Sequence, residues 1–162
     1  MVLTIFTIFH VALSLVGIGA GFIVVFGLLG GKRLNGWTPL FLVTTVLTSV
    51  TGFLFPVHHF LPSHGVGIIS LIVLAVAIYA LYARHLAGGW SRIYAVNTVI
   101  ALYLNFFVLI VQLFEKVPAL KALAPTQTEL PFKATQIAAL TVFLVLTIFA
   151  AIRFRTEAVR TA

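Results

Sequence analysis

The sequence contains no cysteine and no aspartate, and only 8% of its residues are charged. The lack of cysteine excludes disulfides, thiolate metal sites, haem attachment through C-x-x-C-H and a cysteine nucleophile. Because no aspartate can orient a histidine and no nucleophile elbow is present, hydrolase chemistry is not indicated. Water-soluble domains carry about 25% charged residues, so this composition indicates a chain that is dissolved mainly in lipid.

Acidic residues are rare and come late in the chain. The three glutamates are Glu115, Glu129 and Glu157, so the first 114 residues contain no carboxylate side chain. Proton pumps and cation-coupled carriers usually keep carboxylates inside the membrane, which argues against a coupled transporter. The net charge of +7 comes from scattered Lys and Arg residues. These have no aromatic or glycine-rich frame around them, so no nucleic-acid partner is expected.

What the chain does contain is hydrophobic residues, which make up 62% of it. They form runs of about 20 residues, each long enough to cross ~30 Å of hydrocarbon. We therefore predict an all-α integral membrane protein, a single domain over residues 1–162, with the lipid bilayer as its main partner. The start MVLTIFTIFH lacks the basic n-region of a signal peptide, so the first span is expected to be retained. Turn-forming residues divide the chain into five predicted transmembrane helices at about 2–30, 38–61, 64–86, 91–115 and 132–152.

The distribution of Lys and Arg predicts the orientation. Seven of the ten basic residues fall in the first loop, the third loop and the C-terminal tail: Lys32, Arg33, Arg84, Arg92, Arg153, Arg155 and Arg160. Because basic loops stay on the cytoplasmic side, we expect the N-terminus outside, the C-terminus in the cytoplasm and the turn HHFLPSH outside. Basic residues at this position would face the anionic cytoplasmic leaflet.

Histidines crowd the stretch TGFLFPVHHFLPSHG, residues 51–65. A count of about 20 residues from the inner edges of the first two spans places His10 and His58 at one depth, near the outer edge of the hydrocarbon. His64 enters from the other side of the turn, whereas His85 belongs to the opposite face. Since imidazole is the commonest nitrogen ligand, His10, His58 and His64 are candidate metal ligands. The alternative is that all of them are ordinary interfacial histidines.

Helical spacing adds a candidate haem site. His10, Ser14, Gly17 and Gly21 are predicted to share one face of the first span, and Gly52, Pro56 and His59 one face of the second. Gly17 and Gly52 would each lie roughly 10 Å from a histidine on the same stripe. Such a gap would suit haem b, with His10 and either His58 or His59 as axial ligands. Plain close helix packing needs the same gap, and the G-x-x-x-G pair of Gly17 and Gly21 permits it.

The fourth span carries a polar stripe that is expected to face the interior, because polar groups in hydrocarbon need partners. Asn105 and Gln112 could be interhelical hydrogen-bonding residues, or they could form with Tyr103 a site for a small amphipathic molecule such as a quinone. Gln136 of the fifth span would join Gln112 and Glu115 in an outward-facing polar vestibule. The stripe is Asn97, Ala101, Asn105, Val108 and Gln112.

The segment from His10 to His58 resembles a group of small, uncharacterised bacterial multi-span membrane proteins. Their first span opens with a histidine, and their second closes in a T-G-F-x-F-P-x-H-like sequence, here TGFLFPVH. The resemblance covers the first two spans, about a third of the chain. It implies a bacterial inner-membrane protein, and it favours His10 and His58 over His59 as site residues.

Three functions are therefore open. The chain could bind haem b or a transition metal at a histidine-lined outer site. It could instead be a non-enzymatic accessory subunit that packs against other membrane protein subunits, using the face of Gly17 and Gly21 and its phenylalanine-rich surface. It could also bind or carry a small amphipathic molecule.

Overall fold

A computed structural model describes residues 1–56 and 62–154 of the chain. Within these ranges all regular secondary structure is helical. A π-helical turn, Tyr79–Ala83, continues the third helix. The helices are α1 (Val2–Leu29), α2 (Trp37–Gly52), α3 (Pro62–Ile78), α4 (Trp90–Lys116), α5 (Pro118–Leu123) and α6 (Leu130–Arg153).

Among the described residues, four helices are long and apolar enough to cross a membrane, which agrees with the predicted helical membrane bundle. They are α1, α4, α6 and α3 together with its π turn, and they contain 22 to 28 residues each. At 1.5 Å per residue even the 22-residue segment reaches about 33 Å. By contrast, α2 has 16 residues and reaches only about 24 Å, which is less than the ~30 Å of a hydrocarbon core.

The predicted second span was too long for one helix. Instead of continuing to residue 61, α2 ends at Gly52 and is followed by a turn through Phe53, Leu54 and Phe55. Pro56 explains this end, because its ring clashes with the carbonyl four residues earlier and disfavours helical angles at the residue before it. Gly52 and Pro56 therefore do not share a helical face. His58 and His59, in residues 57–61, lie outside the described residues.

The other predicted spans agree with the helices to within three residues at each end. The predicted loop before α6 contains an additional short helix, α5, which begins at Pro118. Proline favours the first position of a helix because the missing N–H has no intrahelical partner there. Pro118 was thus a signal for α5 that the loop prediction overlooked.

The centre of the bundle is α4, which packs against α1, α3 and α6. Its side chains Tyr94, Val99 and Leu102 are completely buried. Of the four long helices, the least buried is α6, which buries only Phe143 and Ala150. Most of its surface is therefore available to lipid.

The closest helix contacts occur at two glycines of α1. A Cβ atom at Gly21 would lie 2.6 Å from Leu102 Cδ1 and 2.9 Å from the Phe41 ring. A Cβ atom at Gly17 would lie 3.1 Å from Thr44 Oγ1 and 3.4 Å from Asn105 Nδ2. The G-x-x-x-G pair thus packs α1 against α2 and α4 of its own chain, and does not lie on the outer surface.

The two ends of the bundle differ in charge. The basic end carries Lys32, Arg33, Arg84, Arg92 and Arg153, and there Arg153 donates a hydrogen bond to the carbonyl of Leu29. We call the opposite end, which carries His10 and His64, the histidine end. Arg155 and Arg160 lie outside the described residues.

We expect Gly21→Ala to destabilise the protein by about 1–3 kcal/mol, because the Phe41 ring is completely buried and an added methyl group overpacks this contact. The measurement is unfolding in detergent. Gly19→Ala is the matched control, since no atom lies within 4 Å of its Cβ position; it should be neutral or stabilising by up to about 1 kcal/mol. Equal losses in both variants would contradict the close contact at Gly21.

Candidate functional site

The best-positioned ring at the histidine end belongs to His10. Its Nδ1 lies 2.8 Å from Thr51 Oγ1. The Thr51 hydroxyl also donates to the carbonyl of Leu47, at 2.7 Å, as is typical of threonine in a helix. Because the hydroxyl hydrogen is used in that bond, we assign the Thr51 oxygen as the acceptor of His10 Nδ1–H. With this assignment a neutral ring carries its proton on Nδ1 and its lone pair on Nε2.

Aromatic packing fixes the orientation of the same ring. The His10 ring meets Phe55 edge-on with ring centres 5.1 Å apart, and Phe55 also packs on Phe6 at 4.9 Å. On its other side, His10 Cε1 lies 3.7 Å from the Cβ position of Gly52. The imidazole is therefore in ordinary van der Waals contact with the end of α2, where it reaches Thr51.

A second imidazole, that of His64, contacts the same turn. His64 is 9% exposed, and its ring stacks on Phe53 with centres 5.5 Å apart. The Phe53 ring also contacts Gly67 of α3, whose Cβ position is 3.0 Å from the ring. The turn after α2 therefore has His10 of α1 packed on Phe55 and His64 of α3 packed on Phe53.

The remaining histidines have different positions. His85 follows the π turn at the basic end, as the sequence predicts, with φ of 48°. His58 and His59 lie outside the described residues, so the predicted closeness of His10 to either of them stays a prediction. Among residues 1–56 and 62–154, no three His, Cys, Asp or Glu side chains are placed together to hold a metal ion.

The two glycines proposed to make room for a macrocycle are in close contact with side chains. The space at Gly17 is bordered by Thr44, Thr45 and Asn105, and the space at Gly52 by His10 itself. In this structure Gly17 therefore serves close helix contact, whereas Gly52 is in ordinary van der Waals contact with the His10 ring.

The two carboxylate side chains in the described residues lie near the histidine end, and both interact with residues close to them in sequence. Glu129 accepts hydrogen bonds from the Thr126 hydroxyl, at 2.7 Å, and from the Thr128 backbone N–H, at 3.1 Å. The Thr126 hydrogen bond is the main reason why the pKa of Glu129 is lowered from its ordinary value. Glu115 pairs with Lys116 at 3.3 Å. The candidate metal-ligating atoms at the Phe53–Phe55 turn are therefore the ring nitrogens of histidine.

A separate polar cluster lies deeper in the bundle. The Ser14 hydroxyl donates to Asn105 Oδ1 at 2.9 Å, and Asn105 is only 7% exposed. Asn105 Nδ2 and Thr45 Oγ1 are buried without a hydrogen-bond partner, and both lie within 3.4 Å of the Gly17 Cβ position. The sequence predicted that Ser14 and Asn105 lie on interior faces, but it did not single out Thr45. Threonines are frequent in α2, so nothing in the sequence distinguished Thr45 from its neighbours.

The rest of the predicted polar stripe on α4 does not converge on Asn105. Gln112 is exposed, which corrects the expectation that it faces the interior. Asn97 donates to its own helix at Ile93, and the Tyr103 ring packs on Phe143. Helical rotation accounts for Asn97, which lies about 80° around the helix from Asn105, but not for Gln112, which lies within about 20° of Asn105 and only one turn from the end of α4.

Gln136 also has a packing role rather than a place in a shared polar group. Its side-chain amide donates to the backbone carbonyl of Phe107, at 3.3 Å, which ties α6 to α4. Asn105, Gln112 and Tyr103 therefore do not combine into one polar site in this structure.

We expect Ser14→Ala to lower stability by about 0.6 kcal/mol, the average for an interhelical hydrogen bond in a membrane protein. In an Asn105→Leu background the same substitution should cost nothing, because its partner is gone. The measurement is a double-mutant cycle of unfolding free energies in detergent. Thr7→Ala, which removes an exposed hydroxyl bonded to its own helix, is the control. Equal costs in the two backgrounds would show that the Ser14–Asn105 bond contributes nothing.

Comparison with known proteins adds no assignment. No protein-family model matches the chain, and no curated protein and no solved structure is similar to it. The assignment of a function rests on His10, Thr51 and His64.

Proposed function

We propose that this chain is a bacterial inner-membrane protein that binds a transition metal through histidines at its histidine end. The observation that carries the proposal is the hydrogen bond from His10 Nδ1–H to Thr51. Histidines that ligate metals almost always donate their second ring N–H to a fixed acceptor, which sets the tautomer and the ring orientation. Thr51 is such an acceptor, and Nε2 of His10 is left as the ligating atom.

The proposed ligand set is His10, His58 and His64. His10 and His64 pack against neighbouring residues of one turn, and His58 follows that turn two residues after Pro56. A set of neutral imidazoles without carboxylates suits zinc, copper, iron or nickel better than calcium or magnesium. This choice agrees with the carboxylate contacts, because Glu115 pairs with Lys116 and Glu129 accepts a hydrogen bond from Thr126.

A metal ion is favoured over haem b. A macrocycle held by His10 and His58 or His59 needs a gap beside its ligands, and the spaces at Gly17 and Gly52 are already in contact with side chains. The accessory-subunit hypothesis loses one of its supports as well. Gly17 and Gly21, its proposed docking face, pack inside this chain, which leaves only the exposed apolar surface for partner subunits.

We further propose five membrane crossings, with the N-terminus outside and the C-terminus in the cytoplasm. The support is the charge asymmetry, since Lys32, Arg33, Arg84, Arg92 and Arg153 share one end of the bundle. The histidine site would then lie on the outer side of the inner membrane, where it meets metal ions before they enter the cell.

For the metal site, we expect detergent-purified protein to bind Co²⁺ with a visible absorption band, and Zn²⁺ to displace it. His10→Ala should abolish the band. Thr51→Val keeps the side-chain shape but removes the acceptor, and should weaken binding by about 10- to 100-fold. His85→Asn, at the basic end, should bind as the wild type does; asparagine tolerates the left-handed φ of this position.

Two results would contradict the metal site. One is the absence of any cobalt band in folded wild-type protein. The other is an equal loss in His10→Ala and His85→Asn. A Soret band that depends on His10 would show that the site binds haem b and not a metal ion. Thermal unfolding of each variant separates a lost ligand from a lost fold.

For the topology, we expect a reporter fused after residue 162 to be active in the cytoplasm, because basic loops are retained there. A reporter inserted beside Ser63 should be active in the periplasm. A periplasmic C-terminal fusion would show that the number of crossings or the orientation is wrong.

A further inference from the structure

An apolar groove lies on the outside of the bundle between α2 and α3, away from the histidine site. Its volume is about 290 Å³. Five side chains of α2 between Pro39 and Leu47, together with Ile78 and Tyr82, form its walls. Val43 and Leu47 are 56% and 41% exposed there, so the groove opens to the surroundings of the bundle.

The wall contributed by α3 is irregular. Ile78 and Tyr82 lie where the α-helix changes to the π-helical turn, in which the N–H of Arg84 bonds to the carbonyl of Tyr79. A π turn is rare and occurs frequently at functional sites. The chain then passes through two non-glycine residues with positive φ, His85 and Leu86. Such conformations persist only where the surrounding structure enforces them.

Positive charge flanks one end of this groove. Arg33 precedes α2 and Arg84 follows the π turn, so each arginine lies in the chain just beyond one of the two walls. Arg33 donates to Asn35, and Arg84 lies over the Trp90 ring at 5.1 Å. Within the described ranges neither makes an ion pair. Both are exposed, and they therefore offer uncompensated charge to an anion.

Aromatic side chains place this end at the membrane–water boundary. Trp37 is 45% exposed at the start of α2, and Tyr79 and Tyr82 are half-exposed on the π turn. Exposed tryptophan and tyrosine concentrate at the interface between hydrocarbon and water. The apolar walls of the groove would thus lie in the hydrocarbon, and the two arginines beside the lipid headgroups.

We propose that the groove binds one anionic phospholipid, with an acyl chain between α2 and α3 and the phosphate at Arg33 and Arg84. An acyl chain matches the apolar walls, and guanidinium groups form charge-assisted hydrogen bonds with phosphate oxygens. Basic pockets between transmembrane helices commonly take anionic headgroups. The site is independent of the proposed metal site, which is at the other end of the bundle.

The test is lipid retention from bilayers of equimolar phosphatidylcholine and phosphatidylglycerol, measured by native mass spectrometry after gentle detergent release. We expect the wild type to retain one phosphatidylglycerol in preference to phosphatidylcholine. Arg33→Gln and Arg84→Gln should each reduce that preference about fivefold, since a basic residue near a headgroup contributes about that factor. The charge-matched control for the arginine pair, Arg33→Gln with Arg84→Gln, is the lysine pair at the opposite end, Lys116→Gln with Lys121→Gln, which should leave the preference unchanged.

A second variant tests the groove itself. Val43→Trp fills it without changing charge and should abolish retention, whereas Val142→Trp, at an equally exposed position of α6, should not. Equal retention of the two lipids by the wild type would overturn the proposal. So would an equal effect of the arginine and lysine pairs, or unchanged retention in Val43→Trp. Unfolding curves check that each exposed substitution leaves the fold intact.

Discussion

The contact of α1 with α2 and α4 at Gly17 and Gly21 is the constraint on which the other features depend. Lipid gives helices no hydrophobic reason to associate, so close van der Waals contact must hold them together. Gly21 allows α1 to reach Phe41 and Leu102. That approach fixes the register of α1, and it brings Ser14 to Asn105 and His10 to Thr51.

At the histidine end, the Thr51 hydroxyl takes part in two hydrogen bonds at once. A threonine near the end of a membrane helix can bond to its own backbone and still accept a further hydrogen bond. Thr51 does both, toward Leu47 and His10. Pro56 contributes by ending α2 early, which leaves a turn whose Phe55 and Phe53 pack against and orient His10 and His64. The chemistry of this end therefore depends on an interrupted helix.

At the basic end, the regular α-helix is interrupted by a π turn and not by a proline. There α3 widens into a π turn beside an apolar groove, and arginines from the two flanking segments stand at its end. The two ends thus divide the molecule by chemistry: the imidazoles of His10 and His64 lie at one, and the guanidinium groups of Arg33 and Arg84 at the other. Because the two ends are separated by an interior of mainly apolar side chains, with a minority of buried Ser and Thr hydroxyl groups and Asn105, each end can be altered by substitution without direct effect on the other.

The sequence by itself determined the helical membrane architecture, the bounds of α1, α4 and α6, and the shared face of His10, Ser14, Gly17 and Gly21. These follow from hydrophobic run length and from the 3.6-residue repeat, both of which are local. Only the tertiary structure decided that His10 meets Thr51, that Asn105 takes Ser14 as its partner, and that Gln112 is exposed. Those outcomes depend on the register in which one helix lies against another, which is set by distant contacts such as Gly21 with Phe41.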